Sequence, residues 1–187
     1  MMISRYPSDT RKFIIYACPV GKLNRFLETY LAKSCQLCGE NTAHKYMPHC
    51  TLTGFFNADF QSVTLYIEAL NQTYIEAKYQ NLSLDIEIIK LTFNEKWHGL
   101  ELQANGLKQL IRNFTLLTNY SNRLEQLRLK DWLHLSLAYD FDPEDSNKLQ
   151  NLATEIIDLK ADVSWELRFY QKNMDWSWNC LKSWVLC

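Results

Sequence analysis

Two short segments of the sequence place a hydroxyl two residues after an imidazole. In "YMPHCTLTGFF", residues 46–56, His49 is followed by Thr51 and Thr53, and in "DWLHLSLAYDF", residues 131–141, His134 is followed by Ser136. Both segments read as β-strands, in which alternate side chains point to opposite faces. His49, Thr51, Thr53 and Phe55 therefore share one face, opposite Cys50, Leu52, Gly54 and Phe56. His134, Ser136 and Ala138 share another, opposite Leu133, Leu135, Leu137 and Tyr139. Where the two polar faces meet across a cleft, two imidazoles and two hydroxyls converge, with Thr53 and Ala138 leaving room for a ligand.

That set of groups suits in-line displacement at phosphorus. The attacking oxygen enters on one side and the leaving oxygen departs on the other, so a base and an acid are needed on opposite flanks. Histidine titrates near neutral pH, so His49 and His134 can supply both roles, each typically worth ~10²–10⁴-fold. The hydroxyls of Thr51 and Ser136 would donate to the non-bridging oxygens and hold the group in line. The scheme calls for no metal and no other cofactor. A strained five-membered cyclic phosphate is the substrate type that so small an apparatus can open.

The elements that must position these residues follow from the apolar spacing. "KFIIYACP", residues 12–19, is a continuous apolar run and reads as a buried strand. From Leu23 the apolar positions Phe26, Leu27, Tyr30, Leu31, Cys35 and Cys38 keep helical spacing, and Gly39 offers a stop. A second helix carries Val63, Tyr66, Ile67, Leu70 and Tyr74, with Asp59 available as its cap. Residues 82–93 and 97–104 read as a strand pair joined at Asn94 to Lys96, followed by a helix with Leu107, Leu110, Ile111, Phe114 and Leu117. After the second histidine strand, "DPEDSNKL" is a helix start with Asp142 as cap, and Leu149, Leu152, Ala153 and Ile156 form that helix's inward face. Two strands, "VSWELRFYQKN" and "WSWNCLKSWVLC", close the chain around a turn at Asn173 to Asp175. The pattern is a loose duplication: a His-x-Thr/Ser strand, aromatic residues, then an acid-led helix.

Composition bounds the function. With 187 residues, 47% of them hydrophobic, and no low-complexity linker, the sequence predicts one domain across 1–187, built as two lobes. A formal net charge of -1 gives no global basic field, so a nucleic-acid ligand would be a nucleotide or a short end, not a tracked duplex. No apolar run approaches the ~20 residues of a membrane span. The six cysteines come without a secretory leader, which predicts reduced thiols and a cytoplasmic protein with no membrane association.

The pair "HCTL" (49–52) and "HLSL" (134–137) resembles the 2H phosphoesterase superfamily, named for two His-x-Thr/Ser-x motifs in which x is commonly apolar. The resemblance points to the phosphodiesterase domain of the T-cell ubiquitin ligand (TULA) proteins, where "PHCTLTGFF", "LHLSLAYDF" and "WSWNCLKSWVL" have counterparts. It implies a bilobed α+β fold of two mainly antiparallel sheets flanked by helices, with pseudo-two-fold symmetry and the four motif residues lining a central cleft. It also implies hydrolysis of 2′,3′-cyclic phosphates on nucleotides or RNA ends, which would be the partner. No protein partner is inferable, because the sequence carries no counterpart of the TULA ubiquitin-binding, SH3 and phosphatase modules.

Other readings compete. A cleft of the same kind would serve a non-catalytic module that binds nucleotides or RNA ends. Cys35, Cys38, His44 and His49 offer four potential zinc ligands, although the interval from Cys38 to His44 is far shorter than a finger's ~12 residues and both cysteines lie on an apolar helix stripe. His44 and His98 lack a hydroxyl two residues on and read as non-catalytic. Trp176, Trp178 and Trp184 have the chemistry for base stacking but read as core or interface, whereas Phe55 shares the His49 face and is the better stacking candidate. Cys18, Cys50, Cys180 and Cys187 are given no role.

Overall fold

In the computed structural model of the chain, residues 10–119, 126–175 and 177–186 are described. Strand β1 (Thr10–Gly21) is the backbone of the molecule. Its unbroken apolar run is buried on both faces: Phe13, Ile15 and Ala17 pack into the main core, and Ile14, Tyr16 and Cys18 into a smaller cluster on the other side. Gly21, at φ 98°, turns the chain into helix α1 (Lys22–Cys38), whose first amides bond to the Asp162 carbonyl, and Gly39, at φ 79°, ends it. There follow β2 (Cys50–Thr51), β3 (Phe56–Asp59), α2 (Val63–Tyr79), β4 (Glu87–Phe93), β5 (Trp97–Gln103), α3 (Asn105–Leu117), β6 (Leu133–Tyr139), α4 (Ser146–Ile156), β7 (Val163–Lys172) and β8 (Trp178–Leu186).

The strands lie in the order β4-β5-β6-β2-β1-β7-β8, with β3 also on β1, and every pairing is antiparallel. The two antiparallel sheets predicted from sequence are present as halves, β4–β5–β6 and β1–β7–β8. Strand β2 joins them into one eight-stranded sheet through a single pair with β6, Cys50 opposite Leu135. The helices pack as α1 with α4 and α2 with α3. Their buried faces, among them Leu27, Tyr66, Phe114 and Ala153, meet the sheet at Phe13, Leu135 and Phe169. One face of the sheet is thus sealed by helices, and the other carries the smaller Ile14–Tyr16–Cys18–Tyr170 cluster, with Met47, Phe55 and Trp178 packed against it. This α+β architecture is the one the sequence predicts.

Two local expectations differ. The strand predicted over 46–56 pairs with β1 only at Cys50 and Thr51, resumes at Phe56, and leaves the ladder between them. In this excursion Thr53 bridges to Leu129, and its side-chain oxygen accepts the Ile15 N–H at 3.2 Å. Thr53 is therefore fully buried and pins the detour; its hydroxyl is not space left for a ligand. Asp59 is extended ahead of a short 3₁₀ turn and makes no side-chain cap, whereas Asp142 accepts the Glu144 N–H at 3.0 Å with Pro143 in the first turn, as the sequence predicts. The described cysteines are free thiols. Among the described residues no helix is long and apolar enough to cross a membrane.

Because the Ile15 amide is buried and Thr53 is its acceptor, Thr53→Val should lower stability by about 1–3 kcal/mol. Urea unfolding checks this: the midpoint should fall with an unchanged slope.

Candidate active site

The seam between β2 and β6 sets the geometry of the site. Cys50 and Leu135 pair directly, and both are buried on the helix side. Continuing this antiparallel register by one residue each way sets His49 opposite Ser136 and Thr51 opposite His134. The four side chains then occupy the corners of a parallelogram on the open face, with imidazoles on one diagonal and hydroxyls on the other. Directly opposed Cβ atoms in such a ladder are ~5 Å apart and diagonal neighbours ~7–8 Å. All four residues line one cavity of about 260 Å³, together with Tyr46, Trp97 and Tyr139.

Each imidazole is oriented by its own backbone. His49 Nδ1 lies 2.7 Å from the Met47 carbonyl and His134 Nδ1 3.3 Å from that of Trp132. A carbonyl only accepts, so in each ring Nδ1 carries the hydrogen and Nε2 offers its lone pair. Burial pushes the His49 imidazolium down from the ordinary histidine value near 6.5 to about 4; the Met47 carbonyl opposes this and the neighbouring His134 adds to it. His134 is also shifted downward, first by burial and then by Lys130, against the pull of the Trp132 carbonyl. The two rings therefore resist being charged together.

Aromatic groups unread in the sequence complete the site. Tyr16 lies against His49, with ring centroids 4.0 Å apart, and Trp132 stacks on His134 at 4.0 Å and 27°. Trp97 Nε1 donates to the Ser136 oxygen at 2.9 Å. An indole N–H has no acceptor capacity, so Ser136 must accept there and its own hydrogen is left to point into the cavity. The Trp97 ring folds back over Gly99, where an added Cβ would lie 2.4 Å from the indole and 2.3 Å from the Leu135 carbonyl, so only glycine fits. Trp132 was discoverable, since it precedes His134 by two and shares its face; Trp97 depends on strand neighbours that a single sequence does not display.

A bulge corrects the face assignment on β6. Gly99 opposes Ser136 and His98 opposes Ala138, so Leu137 is an extra residue that shifts the alternation. Tyr139 consequently lines the cavity, and Ala138, predicted to face the ligand, is fully buried opposite His98. Phe55 lines an adjoining cavity of about 210 Å³ with His49, Thr51, Arg128 and Lys130, and its ring stacks on Trp178 at 6.0 Å. Trp184 is core, with its Nε1 on Asn71, and Trp176 and Cys187 lie outside the described residues.

The remaining histidines are structural. His44 accepts the Asn41 N–H at 2.9 Å and has Ser34 Oγ 3.0 Å from its other nitrogen, so both ring nitrogens are engaged. His98 is buried between Phe93 and Phe141 with Nε2 3.2 Å from Ser146 Oγ. No group of three or more His, Cys, Asp or Glu side chains among the described residues is arranged to hold a metal.

The fold is 2H-phosphoesterase-like and is shared with a solved bacterial protein. The apo crystal structure of E. coli LigT superposes with a TM-score of 0.53 at 14% sequence identity, covering 96% of this chain and 99% of that one. In sequence the chain is 29% identical to the ecdysteroid-phosphate phosphatase of Drosophila melanogaster over 87% of its own length and 26% of the relative's. It is also 29% identical to the ubiquitin-associated and SH3 domain-containing protein B of Mus musculus, over 88% and 26% respectively. Resemblance to the 2H superfamily, on its TULA side, is thereby borne out. The chain spans about a quarter of the length of the curated relatives it matches. No protein-family model matches it.

The lowered His49 value has a sign that can be measured. An unfolded histidine binds its proton near pH 6.5, and the folded one only near 4, so stability is unaffected above ~6.5 and falls as pH drops between the two values, by up to roughly 3 kcal/mol. NMR titration should show His49 as a neutral Nδ1–H tautomer at pH 6, and urea midpoints should fall between pH 7 and 5 by less in His49→Gln than in the parent chain.

Proposed function

We propose that the chain is a metal-independent phosphodiesterase that hydrolyses 2′,3′-cyclic phosphates of nucleotides or RNA ends. The observation that carries this reading is the crossed arrangement of the two diagonals. A phosphorus centred over the parallelogram has an imidazole on each side along one line and a hydroxyl on each side across it. In-line displacement needs that division, because proton transfers occur at the entering and leaving oxygens while the non-bridging oxygens must be held.

His49 is the base. Burial holds its ring neutral, and its Nε2 lone pair takes the proton of the attacking water. His134 is the acid: its imidazolium lies flat on Trp132, whose π face stabilises the charge, and the bound phosphate anion stabilises it further. Its Nε2–H is delivered to the ribose oxygen as the P–O bond breaks and the ring opens to a phosphomonoester. The Thr51 and Ser136 hydroxyls donate to the non-bridging oxygens, Ser136 with its rotor set by Trp97. Two relatives are named as ecdysteroid-phosphate phosphatases, but they are about four times the length aligned here and the phosphatase module has no counterpart in this sequence, so the reading rests on the cavity and not on that name.

His49→Ala and His134→Ala should each lower kcat/KM on a 2′,3′-cyclic nucleotide by ~10²–10⁴-fold, with parent turnover unaffected by EDTA. Unchanged turnover in both variants would refute the mechanism; ligand binding without turnover in the parent would make the chain a binding module. Since kcat/KM reports the free enzyme and needs His134 charged, and burial lowers that ring from the ordinary histidine value, kcat/KM should fall as pH rises above ~6.5. Trp97→Phe should lower kcat/KM about tenfold, the loss of one oriented hydroxyl donor, while leaving the histidine titrations in place.

A further inference from the structure

A row of residues crosses the open face of the sheet beyond the catalytic cavity. Lys12 on β1 sits opposite Asn57 of β3 on one side and opposite Lys172 of β7 on the other, and Lys172 in turn opposes Trp178 of β8. Two like charges directly opposed in a ladder are destabilising. Here both are gathered over one aromatic stack: Lys12 Nζ lies 5.7 Å and Lys172 Nζ 5.4 Å from the Phe55 centroid, and Lys172 also lies 5.7 Å from Trp178. Burial first, and then the charges of Lys12 and Lys45, push the Lys172 ammonium downward.

This row borders a cavity of about 540 Å³ lined by Arg11, Lys12, Asn57, Gln171, Lys172 and Asn173 among others, and none of its described lining residues is acidic. Phe55, over whose ring Lys12 and Lys172 lie, lines the neighbouring cavity together with His49, Thr51, Arg128 and Lys130. The separation excludes the reacting phosphate as its occupant. Tyr16 touches His49, and Lys12 lies four residues further along the same face of β1, roughly 13 Å away.

We infer that the groove continues past Phe55 into a second anion subsite, where Lys12 and Lys172 receive a further phosphate of an oligoribonucleotide whose cyclic end lies between the two histidines. The inference rests on the proposed reading of the catalytic cavity and deepens it, because it selects an RNA end over a bare cyclic mononucleoside. Lysine ammoniums serve this purpose as mobile point charges that tolerate any base sequence. The substrate would lie across the sheet, so the sheet's low net field is offset by a local one.

The test is a two-by-two comparison of ligands and proteins by calorimetry and turnover. The ligands are adenosine 2′-phosphate and a triadenylate ending in a 2′-phosphate, with their 2′,3′-cyclic counterparts for turnover; the proteins are the parent chain and Lys12→Met/Lys172→Met. The parent should bind the trinucleotide at least about tenfold more tightly than the mononucleotide, and the double variant should lose that advantage while binding the mononucleotide equally well. The salt slope of log K for the trinucleotide should flatten by about 0.7 for each phosphate no longer neutralised by a lysine. Lys172→Glu, which reverses the charge with little change in length, should reproduce the loss if the double variant folds poorly. An advantage that survives both substitutions, or no advantage in the parent, overturns the subsite. Binding as expected with no turnover of either cyclic ligand overturns the proposed reaction and leaves the subsite standing.

Discussion

One ladder pair, Cys50 opposite Leu135, organises the molecule. It closes two half-sheets into one, and by the alternation of strand side chains it sends Cys50 and Leu135 into the core and their neighbours onto the open face. A slip of one residue would turn imidazoles and hydroxyls inward and present a thiol and a leucine instead. The burial of apolar side chains on the helix side therefore enforces the register that positions the polar ones. Stability and chemistry are coupled through the pleat.

The second constraint is dryness. The open face is walled by Tyr16, Tyr46, Trp97, Trp132 and Tyr139, so the imidazoles lie in a partly desolvated aromatic setting. Desolvation lowers both histidines, and mutual repulsion keeps them from charging together. An anion approaching either ring would favour its charged form and, through the repulsion, leave the other neutral. The carbonyls of Met47 and Trp132 fix the tautomers beforehand and leave no reorientation for that moment.

Much of this was legible in the sequence because it rests on local periodicity. The buried β1, the helix at Leu23 with its stop at Gly39, the Asp142–Pro143 helix start and both closing strands follow from spacing and capping chemistry, and the motif pair marks the cavity wall. What escaped is non-local. The detour of residues 52–55 is fixed by where β1 and Leu129 offer partners, which no window of sequence encodes. The bulge at Leu137 is a matter of register against β5, and it exchanged the faces of Ala138 and Tyr139. Trp97 reaches Ser136 from a strand 39 residues away, over a glycine whose reason is the ring above it.

The middle residue of the first motif has its own chemical consequence. Cys50 stands between His49 and Thr51 in sequence, yet its sulfur is buried in hydrocarbon and pushed up to about 12, far from any thiolate population at neutral pH. Peroxide and alkylating agents act on cysteine through its thiolate, so Cys50 itself offers them little to attack. The exposed Cys180 lies on β8, away from the cavity that the two histidines line, so a thiol reagent meets it before it meets the residue between His49 and Thr51.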